Sequence, residues 1–315
     1  MKHVFIIDPD AFAGYQWKMD GLLDSIGQYF RTQDRPDFTA AVSKYPREAL
    51  GIIQKRADDA DGEPVRVYAV GGDGILFDCL NGIAGLPNIE LAAIPYGTAN
   101  TFVRSFGDGN VEAFNNIASA IAAPSILADV IEVGNTFALS GCAVGLNAAV
   151  AAKMREAEGS KRLARSPSRL ATGMRRLLAR ISCAHDKSVA ACHYKIEIDS
   201  RDYSGSYSLV SVVNAPYFGR RKIPLPGATP DDGFLHVLLF RAAAPLKTLL
   251  ALKKYSDGRL PPNCVRVKAK KVEVRSDRPM WIQQDDEYLM DTNVTFEAIP
   301  GAVRIVAVND LAFQE

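Results

Sequence analysis

The sequence lacks any run of apolar residues near the 18 or so that a membrane span requires. The first apolar segment, Val4–Ile7, is too short for the core of a secretory signal, so we expect a cytoplasmic protein that contacts a membrane only peripherally. An excess of charge is also missing, because 37 Lys and Arg balance 36 Asp and Glu. No overall field favours a polyanion, and we expect no nucleic-acid partner.

A disulfide framework and the familiar phosphate-binding motifs are absent as well. The five cysteines, odd in number, lie mostly within apolar runs, as is typical of reduced core thiols. Neither GxxxxGK[ST] nor GxGxxG occurs, which excludes the Walker and Rossmann motifs. Any nucleotide site must therefore be built from other loops.

The first 128 residues alternate strand-like and helix-like segments. The predicted strands are Val4–Ile7, Phe38–Val42, Val65–Val70 and Leu91–Ile94. The predicted helices are Trp17–Phe30, Pro46–Arg56, one beginning at Leu76–Ile83 and one near Thr101–Phe106. This alternation predicts an α/β domain with a doubly wound parallel sheet over residues 1–128.

From about Ala128 the pattern changes to β-rich runs separated by turn signals such as Asp232-Gly233 and Asp257-Gly258. We expect a mainly antiparallel β-sandwich domain over residues 129–304. The C-terminal tail, residues 305–315, is expected to pack back on the first domain. Oligomeric state is left open between a monomer and a homodimer.

A basic segment, residues 153–180, interrupts the β-rich region. Between Lys153 and Arg180, seven further lysines and arginines alternate with leucines and a methionine, which predicts a basic amphipathic helix. Such a helix is able to lie on an anionic membrane surface. It is equally able to pack its apolar side on its own domain, and both interpretations stay open.

Two glycine-bearing loops follow neighbouring predicted strands. Gly71-Gly72-Asp73-Gly74 comes directly after Val65–Val70, and Pro95–Asn100 comes after Leu91–Ile94. Glycine lets backbone N–H groups approach a phosphate, although a plain tight turn uses the same residues. Since the carboxyl ends of parallel strands meet at one edge of a sheet, both loops should face one crevice, where Asn100 is a suitable helix N-cap.

These loops carry a resemblance to a known family. Gly71–Asp78 with Asn81-Gly82 is similar to the GGDGT-L-N-E…NG signature of the diacylglycerol-kinase catalytic family, and Pro95–Arg104 resembles its P-x-GT-x-ND-x-AR element. Three further family elements follow in order along the chain. They are Asn214-Ala-Pro through Asp231-Asp232-Gly233-Phe234-Leu235, then Gln284-Asp285-Asp286-Glu287, then Pro300-Gly301-Ala302-Val303-Arg304.

The resemblance implies an ATP-dependent lipid kinase that uses Mg²⁺ and phosphorylates the hydroxyl of a diacylglycerol-like or long-chain-base-like lipid. Residues implied to bind the nucleotide are Asp8, Pro9, Ser43, Gly71, Gly72, Gly74, Ile75, Gly97, Thr98 and Asn100. Residues implied to be catalytic are Asp73, Asp285 and Glu287, with Glu287 as the proton acceptor. Residues implied to hold a structural magnesium ion are Asp129, Thr229, Asp232 and the carbonyl of Phe234.

Several positions depart from the family pattern. Ile75 and Thr101 replace a threonine and an aspartate, while Asp8 and Asp286 replace an asparagine and a glycine and so add negative charge near a polyanion. These departures keep two alternatives open. One is a catalytically silent lipid- or nucleotide-binding homologue, and the other is an NAD kinase, which shares a GGDG loop.

Overall fold

The computed structural model describes residues 1–13, 15–32, 38–45, 47–159, 169–218, 221–223, 225 and 227–314. Its strands are β1 Lys2–Ile7, β2 Phe38–Val42, β3 Val65–Gly71, β4 Ile89–Pro95, β5 Ser125–Val133, β6 Thr136–Ala138, β7 Gly141–Gly145, β8 Cys192–Ile198, β9 Arg201–Asp202, β10 Gly205–Val213, β11 Tyr217–Phe218, β12 Arg221–Lys222, β13 Leu235–Arg241, β14 Cys264–Ala269, β15 Lys271–Gln284 and β16 Glu287–Val306. Its α-helices are α1 Gln16–Thr32, α2 Glu48–Asp58, α3 Asp73–Ile83, α4 Ile117–Ala122, α5 Leu146–Gly159, α6 Arg169–His185, α7 Lys187–Ala190 and α8 Pro245–Ser256. Short 3₁₀ helices span Pro9–Phe12, Val103–Phe106, Asp108–Asn115 and Val308–Asp310.

The N-terminal part is a parallel sheet in the order β2-β1-β3-β4, with helices between successive strands. Every residue of β3 is buried, which is expected of a parallel strand covered on both faces. This arrangement confirms the predicted α/β fold class. The carboxyl ends of β3 and β4 are paired at Gly71 and Pro95, so the two glycine loops leave the sheet side by side.

The helix predicted near Thr101–Phe106 is wrong in type, because the segment is an irregular loop followed by the 3₁₀ helix Val103–Phe106. Asn100 has a left-handed φ of 48° and donates its side-chain amide to the carbonyl of Gly97, 2.9 Å away. It therefore closes the loop and is not a helix N-cap. Pro46, the predicted first residue of α2, lies outside the described residues, and the helix begins at Glu48.

The C-terminal part is mainly antiparallel, with strand order β14-β13-β10-β7-β15-β16, and β8 pairs with both β10 and β15. This confirms the second, β-rich layer. One expectation fails: Asp257-Gly258 does not join two strands, because it ends α8. Pro245 in the first turn and a left-handed Gly258 with φ 72° are helix start and stop signals, and they account for the difference.

Strand β16 connects the two parts. Its first half pairs with β15, and its second half pairs with β5 and with β4 of the parallel sheet. The register shifts between Ile299 and Val303, where Gly301 takes a φ of 59°. The Pro-Gly-Ala element is therefore a β-bulge that redirects one strand from one layer to the other.

The chain crosses between the parts at two places. Strand β5 runs without a break through residue 128, the boundary that the sequence suggested. At the other end, Val303–Val308 belongs to the N-terminal core, and the ring of Phe313 lies 4.6 Å from that of Phe106. Within the described ranges no helix is both long and apolar enough to span a bilayer.

Candidate active site

One cavity of about 900 Å³ receives side chains from both parts of the chain. Among the sequence-predicted site residues, those that line it are Asp8, Pro9, Ser43, Gly72, Asp73, Gly74, Ile75, Gly97, Thr98, Asp285 and Glu287. Gly71 and Asn100 belong to the two glycine loops but do not line the cavity. The two glycine loops and the distant acidic turn therefore meet at a single pocket.

The two loops are in direct contact through their glycines. A Cβ added to Gly97 would lie 2.4 Å from the Cα of Gly72, which no side chain tolerates. The carbonyl of Gly71 accepts hydrogen bonds from the N–H groups of Tyr96 (2.8 Å) and Gly97 (3.0 Å). Gly71 has no room for a side chain either, because its Cβ would lie 2.8 Å from that of Asp8. The glycines thus serve close backbone packing as well as any phosphate contact.

The start of α3 leaves backbone donors pointing toward the cavity. The first hydrogen bond of the helix is donated by Leu76 N–H to the carbonyl of Gly72, at 3.3 Å. The earlier amides of the first turn precede the helical ladder and need other acceptors. Since Gly72, Gly74 and Ile75 line the cavity, this helix terminus is suited to an anion.

Asp73 ties the first loop to the second. Its carboxylate accepts from the N–H of Thr101 at 2.6 Å and from the Thr101 hydroxyl at 3.0 Å. Burial raises the pKa of Asp73, and the hydrogen bonds from Thr101 oppose that rise. The aspartate therefore fixes the relative position of the loops, a structural role that the threonine at position 101 makes possible.

Asp285 anchors the acidic turn between β15 and β16. Its two carboxylate oxygens accept three backbone N–H groups, from Leu139 (2.7 Å), Ser140 (2.9 Å) and Gly141 (3.0 Å). Burial, together with the nearby charge of Asp73, raises the pKa of Asp285 to about 6 despite these donors. The backbone of Asp285 is left-handed, with φ 45°, and its carboxylate holds the link between β6 and β7 in place.

The other two residues of the turn face α3 and α5. A Cβ on Gly74 would lie 3.5 Å from Asp286 Oδ2, so this carboxylate stands over the N-terminal turn of α3. Glu287 Oε1 lies 2.9 Å from the guanidinium of Arg155, which also donates to the Asp286 carbonyl. Arg155 thus fixes one oxygen of the carboxylate that the resemblance identifies as the proton acceptor.

The first strand and β2 complete the polar side of the cavity. Asp8 caps the 3₁₀ helix Pro9–Phe12 by accepting from Asp10 N–H at 2.9 Å, and burial raises the pKa of Asp8. Ser43 is 7% exposed, and its N–H donates to the carbonyl of Ile7 at 2.9 Å. Both residues line the cavity, and their implied contact with phosphate stays a prediction.

A largely apolar region continues the cavity away from the glycine loops. Its lining residues are Val150, Ala151, Met154, Phe218, Ile223 and Tyr255. They come from α5, from the small β11–β12 sheet and the residue that follows it, and from the helix α8 that the sequence did not predict. An apolar extension next to a polar end suits a substrate with one hydrophilic and one hydrophobic part.

The residues implied to hold magnesium lie away from the cavity lining and do not fit a cation. Asp232 Oδ2 is 3.1 Å from the ammonium of Lys268 and 2.8 Å from His236 Nε2. Although burial raises it, the pKa of Asp232 is held below its ordinary value by hydrogen bonds from these two partners. A lysine charge at this distance repels a divalent ion.

The other implied ligands give no better cation site. The two oxygens of Asp129 accept the N–H groups of Gly233 (2.6 Å) and Gly301 (2.8 Å), so this carboxylate braces the β-bulge of β16. Among the described residues no group of three His, Cys, Asp or Glu could hold a metal. The carbonyl of Thr229 accepts the N–H of Asp232 at 3.2 Å. The ring centroid of Phe234 lies 4.3 Å from the Lys268 ammonium. The implied structural magnesium site is therefore occupied by a lysine.

Several residues of the cavity were not assigned by sequence reasoning. They are Lys44, Asp78, Asn147, Arg155, Arg176, Arg180, Gln283 and Tyr288. The three arginines belong to the basic segment 153–180, and their charge was the one sequence feature that could have identified them as site residues. Nothing local in the sequence indicated that they turn toward the acidic loop.

Comparisons with known proteins place the chain among kinases. Residues 2–133 match the family model of the diacylglycerol kinase catalytic domain, and residues 168–307 match that of the YegS C-terminal NAD kinase beta sandwich-like domain. A "Putative lipid kinase" of Staphylococcus aureus strain JH9 is 26% identical over 252 residues, which is 78% of this chain and 78% of the relative. Residues 2–133 therefore match a diacylglycerol kinase catalytic domain, and the chain is a kinase.

Solved structures share the fold over the whole chain. A crystal structure of "a putative diacylglycerol kinase" from Bacillus anthracis strain Sterne has a TM-score of 0.72 at 23% identity, covering 99% of this chain and 98% of that one. A second crystal structure, of a diacylglycerol kinase from the same strain, has a TM-score of 0.67 at 20% identity with the same coverage. At these identities the likeness shows the fold.

Proposed function

We propose that this kinase transfers the γ-phosphoryl group of ATP, bound as its magnesium complex, to a hydroxyl of a diacylglycerol-like or long-chain-base-like lipid in the cytoplasm. The observation that carries the proposal is the single cavity in which two glycine loops, an acidic turn and an apolar region meet. Phosphoryl transfer depends mainly on positioning and charge stabilisation, which backbone amides and one carboxylate are able to supply.

The nucleotide end of the cavity is assigned to the glycine loops. Backbone N–H groups at the start of α3 and the Thr98 hydroxyl bind the phosphate oxygens. Asp73 and its partner Thr101 keep the two loops together, so the phosphates meet a preorganised surface. The basic groups at the rim, Lys44 and Arg155, offset the charge of the triphosphate.

The acceptor end is assigned to the apolar region next to Glu287. The lipid hydroxyl oxygen forms a bond to the γ-phosphorus while the bond from phosphorus to the β-phosphate oxygen breaks, and ADP leaves with that electron pair. The hydroxyl proton passes to Glu287. Because Arg155 holds Oε1, we assign the proton to Oε2.

The test is transfer of labelled phosphate from ATP to a panel of 1,2-diacylglycerol, sphingosine and NAD, with the acceptor lipids supplied in detergent micelles. Glu287→Gln should reduce turnover by about a hundredfold or more, the size expected for a general base. The matched control is Glu297→Gln, the same change at an exposed position of β16, which should retain wild-type turnover.

Three outcomes would refute the proposal. Undiminished turnover in Glu287→Gln would show that Glu287 is not the proton acceptor. Phosphorylation of NAD and of no lipid would identify an NAD kinase instead. Calorimetric uptake of ATP with no transfer to any acceptor would identify a silent nucleotide-binding homologue.

A further inference from the structure

Gln283 contributes a buried amide to the wall of the cavity. The residue is 7% exposed, and its side-chain nitrogen donates to the carbonyl of Asp285 at 2.8 Å. A carbonyl oxygen only accepts, so this bond fixes which end of the amide is nitrogen and leaves the oxygen Oε1 at the other end. Among the described residues, none donates to Oε1.

A buried acceptor without a donor is unfavourable for the fold. Native structures contain few such groups, because each loses its hydrogen bonds with water and gains none in return. Within the described ranges, Gln283 is the one residue lining this cavity that has a buried side-chain oxygen in that state. An unpaired acceptor in the wall of a binding cavity indicates a ligand that supplies the donor.

The side chain of Gln283 lies on the face of β15 that carries the apolar region of the cavity. Ile282 belongs to the core on one face of the strand, so Trp281 and Gln283 lie on the other. Gln283 is paired with Ala143 of β7, and Ala143 and Trp281 pack with one apolar cluster. The members of that cluster that line the cavity are Val150, Phe218, Ile223 and Tyr255. Gln283 is therefore a polar group within the apolar end, where such groups set the orientation of a ligand.

The unpaired oxygen is close to the proposed proton acceptor. Gln283 is paired with Tyr288, the residue after Glu287. Side chains offset by one or two positions across an antiparallel ladder are about 5 to 8 Å apart, a distance that a few bonds of a lipid head group span. A donor beside the reacting hydroxyl would therefore reach Oε1 while the hydroxyl stays at Glu287. Because Oε1 is buried, the donor meets it through the side-chain adjustment that commonly accompanies binding.

We propose that Gln283 selects an acceptor lipid that carries a second hydrogen-bond donor beside the hydroxyl that receives the phosphate. The inference rests on the proposed function for the position of that hydroxyl. 1,2-Diacylglycerol has ester oxygens there, which only accept, so it would leave Oε1 unpaired and be a poor substrate. A monoacylglycerol has a neighbouring hydroxyl and a long-chain base has a neighbouring ammonium, and both supply the donor.

The cavity accepts either source of the donor. Asp286 and Glu287 attract an ammonium, whereas Arg176 and Arg180 of α6 repel one. Of the basic segment that the sequence indicated, residues 160–168 lie outside the described residues, and the proposal uses none of them. The shared requirement is the donor itself.

The experiment is isothermal titration calorimetry of the full chain, without nucleotide, with water-soluble lipids. They are octyl glyceryl ether, its analogue without the middle hydroxyl, and its analogue with an amine in that position. The wild type should bind the ether about tenfold or more tightly than the analogue without the hydroxyl, because only the ether pairs with Oε1. The amine should also bind more tightly than that analogue, and the tighter of the ether and the amine identifies the donor.

The variant Gln283→Leu should bind the ether and the analogue without the hydroxyl with equal Kd. This variant also loses the bond to the Asp285 carbonyl, and a shift of the acidic turn would weaken both lipids alike without changing their ratio. Gln54→Leu, the same change at an exposed position of α2, is the matched control and should keep the wild-type ratio.

Equal binding of the two lipids by the wild type would overturn the proposal, whether or not the variant folds. So would an unchanged ratio in Gln283→Leu. Weaker binding of ATP by that variant with an unchanged lipid ratio would also overturn it, because the amide would then contact the nucleotide.

The inference and the proposed function fail separately, because no phosphate is transferred in the calorimeter. A protein that discriminates between the two lipids and transfers no phosphate would refute the kinase mechanism and support the selection by Gln283. An enzyme that phosphorylates lipids but binds the pair equally would refute the selection alone.

Discussion

Asp286 should weaken the binding of ATP, and removing its charge should strengthen it. The carboxylate stands over the first turn of α3, where its Oδ2 would be 3.5 Å from a Cβ at Gly74. A phosphate held by the amides of that turn would therefore lie roughly 5 Å from the carboxylate. At that separation two like charges repel by ~1 kcal/mol in water and by ~3 kcal/mol at an effective dielectric of ~20.

Because the Arg155 guanidinium lies beside Asp286 and offsets part of its charge, the lower figure applies, and Asp286→Asn should lower the Kd for ATP about fivefold. Isothermal titration calorimetry measures this directly, and the gain should shrink as salt is added. Asp291→Asn, on the exposed part of β16, is the control and should change nothing. Weaker binding by Asp286→Asn would refute the reasoning, because it would mean that the carboxylate holds the cation that accompanies ATP.

Three further predictions concern the framework. Gly97→Ala should destabilise the fold by about 2 kcal/mol through its clash with Gly72, while Gly109→Ala, which meets no atom, should not. The pKa of Asp285 is raised from 3.8 to about 6 in the folded protein. The stability of the wild type relative to Asp285→Asn should therefore fall as pH rises from about 4 to 6, by on the order of 3 kcal/mol. If urea denaturation gave the same difference in free energy of unfolding between the two proteins at every pH, that would contradict this prediction. Without nucleotide, a chelator should leave the wild-type Tm unchanged, whereas Lys268→Met should lower stability by about 1 kcal/mol.

The parallel sheet was predictable because its strands are encoded locally. Strand β3 was predicted at Val65–Val70 and is found at Val65–Gly71, since its three valines favour extended backbone and the strand is buried on both faces. For β16 the sequence predicts two separate strands, Val294–Ala298 and Val303–Val308, where the structure has one. Its continuity depends on Gly301 donating to Asp129, 172 residues away, and no local pattern encodes such a contact.

The site was predictable to the extent that it follows strand ends and family motifs. The loops at Gly72 and Gly97 and the turn at Glu287 were all assigned, and all line one cavity. Arg155 was missed because it reaches Glu287 across 132 positions of sequence from a different helix. Lys268 was missed for the same reason. Asp232 was expected to hold magnesium but is paired with Lys268, because a motif specifies a carboxylate and not the cation that neutralises it.

The three carboxylates implied to be catalytic do not share one role. Asp73 and Asp285 accept hydrogen bonds from backbone N–H groups, so their oxygens are committed to holding loops in place. Glu287 is bonded to a guanidinium at the cavity edge and is 36% exposed. On this division, Asp73→Ala and Asp285→Ala should lose activity together with stability, because the loop N–H groups lose their acceptor, while Glu287→Gln should lose activity with its melting temperature unchanged. A Glu287→Gln variant that melted as early as the other two would assign the acidic turn to structure alone.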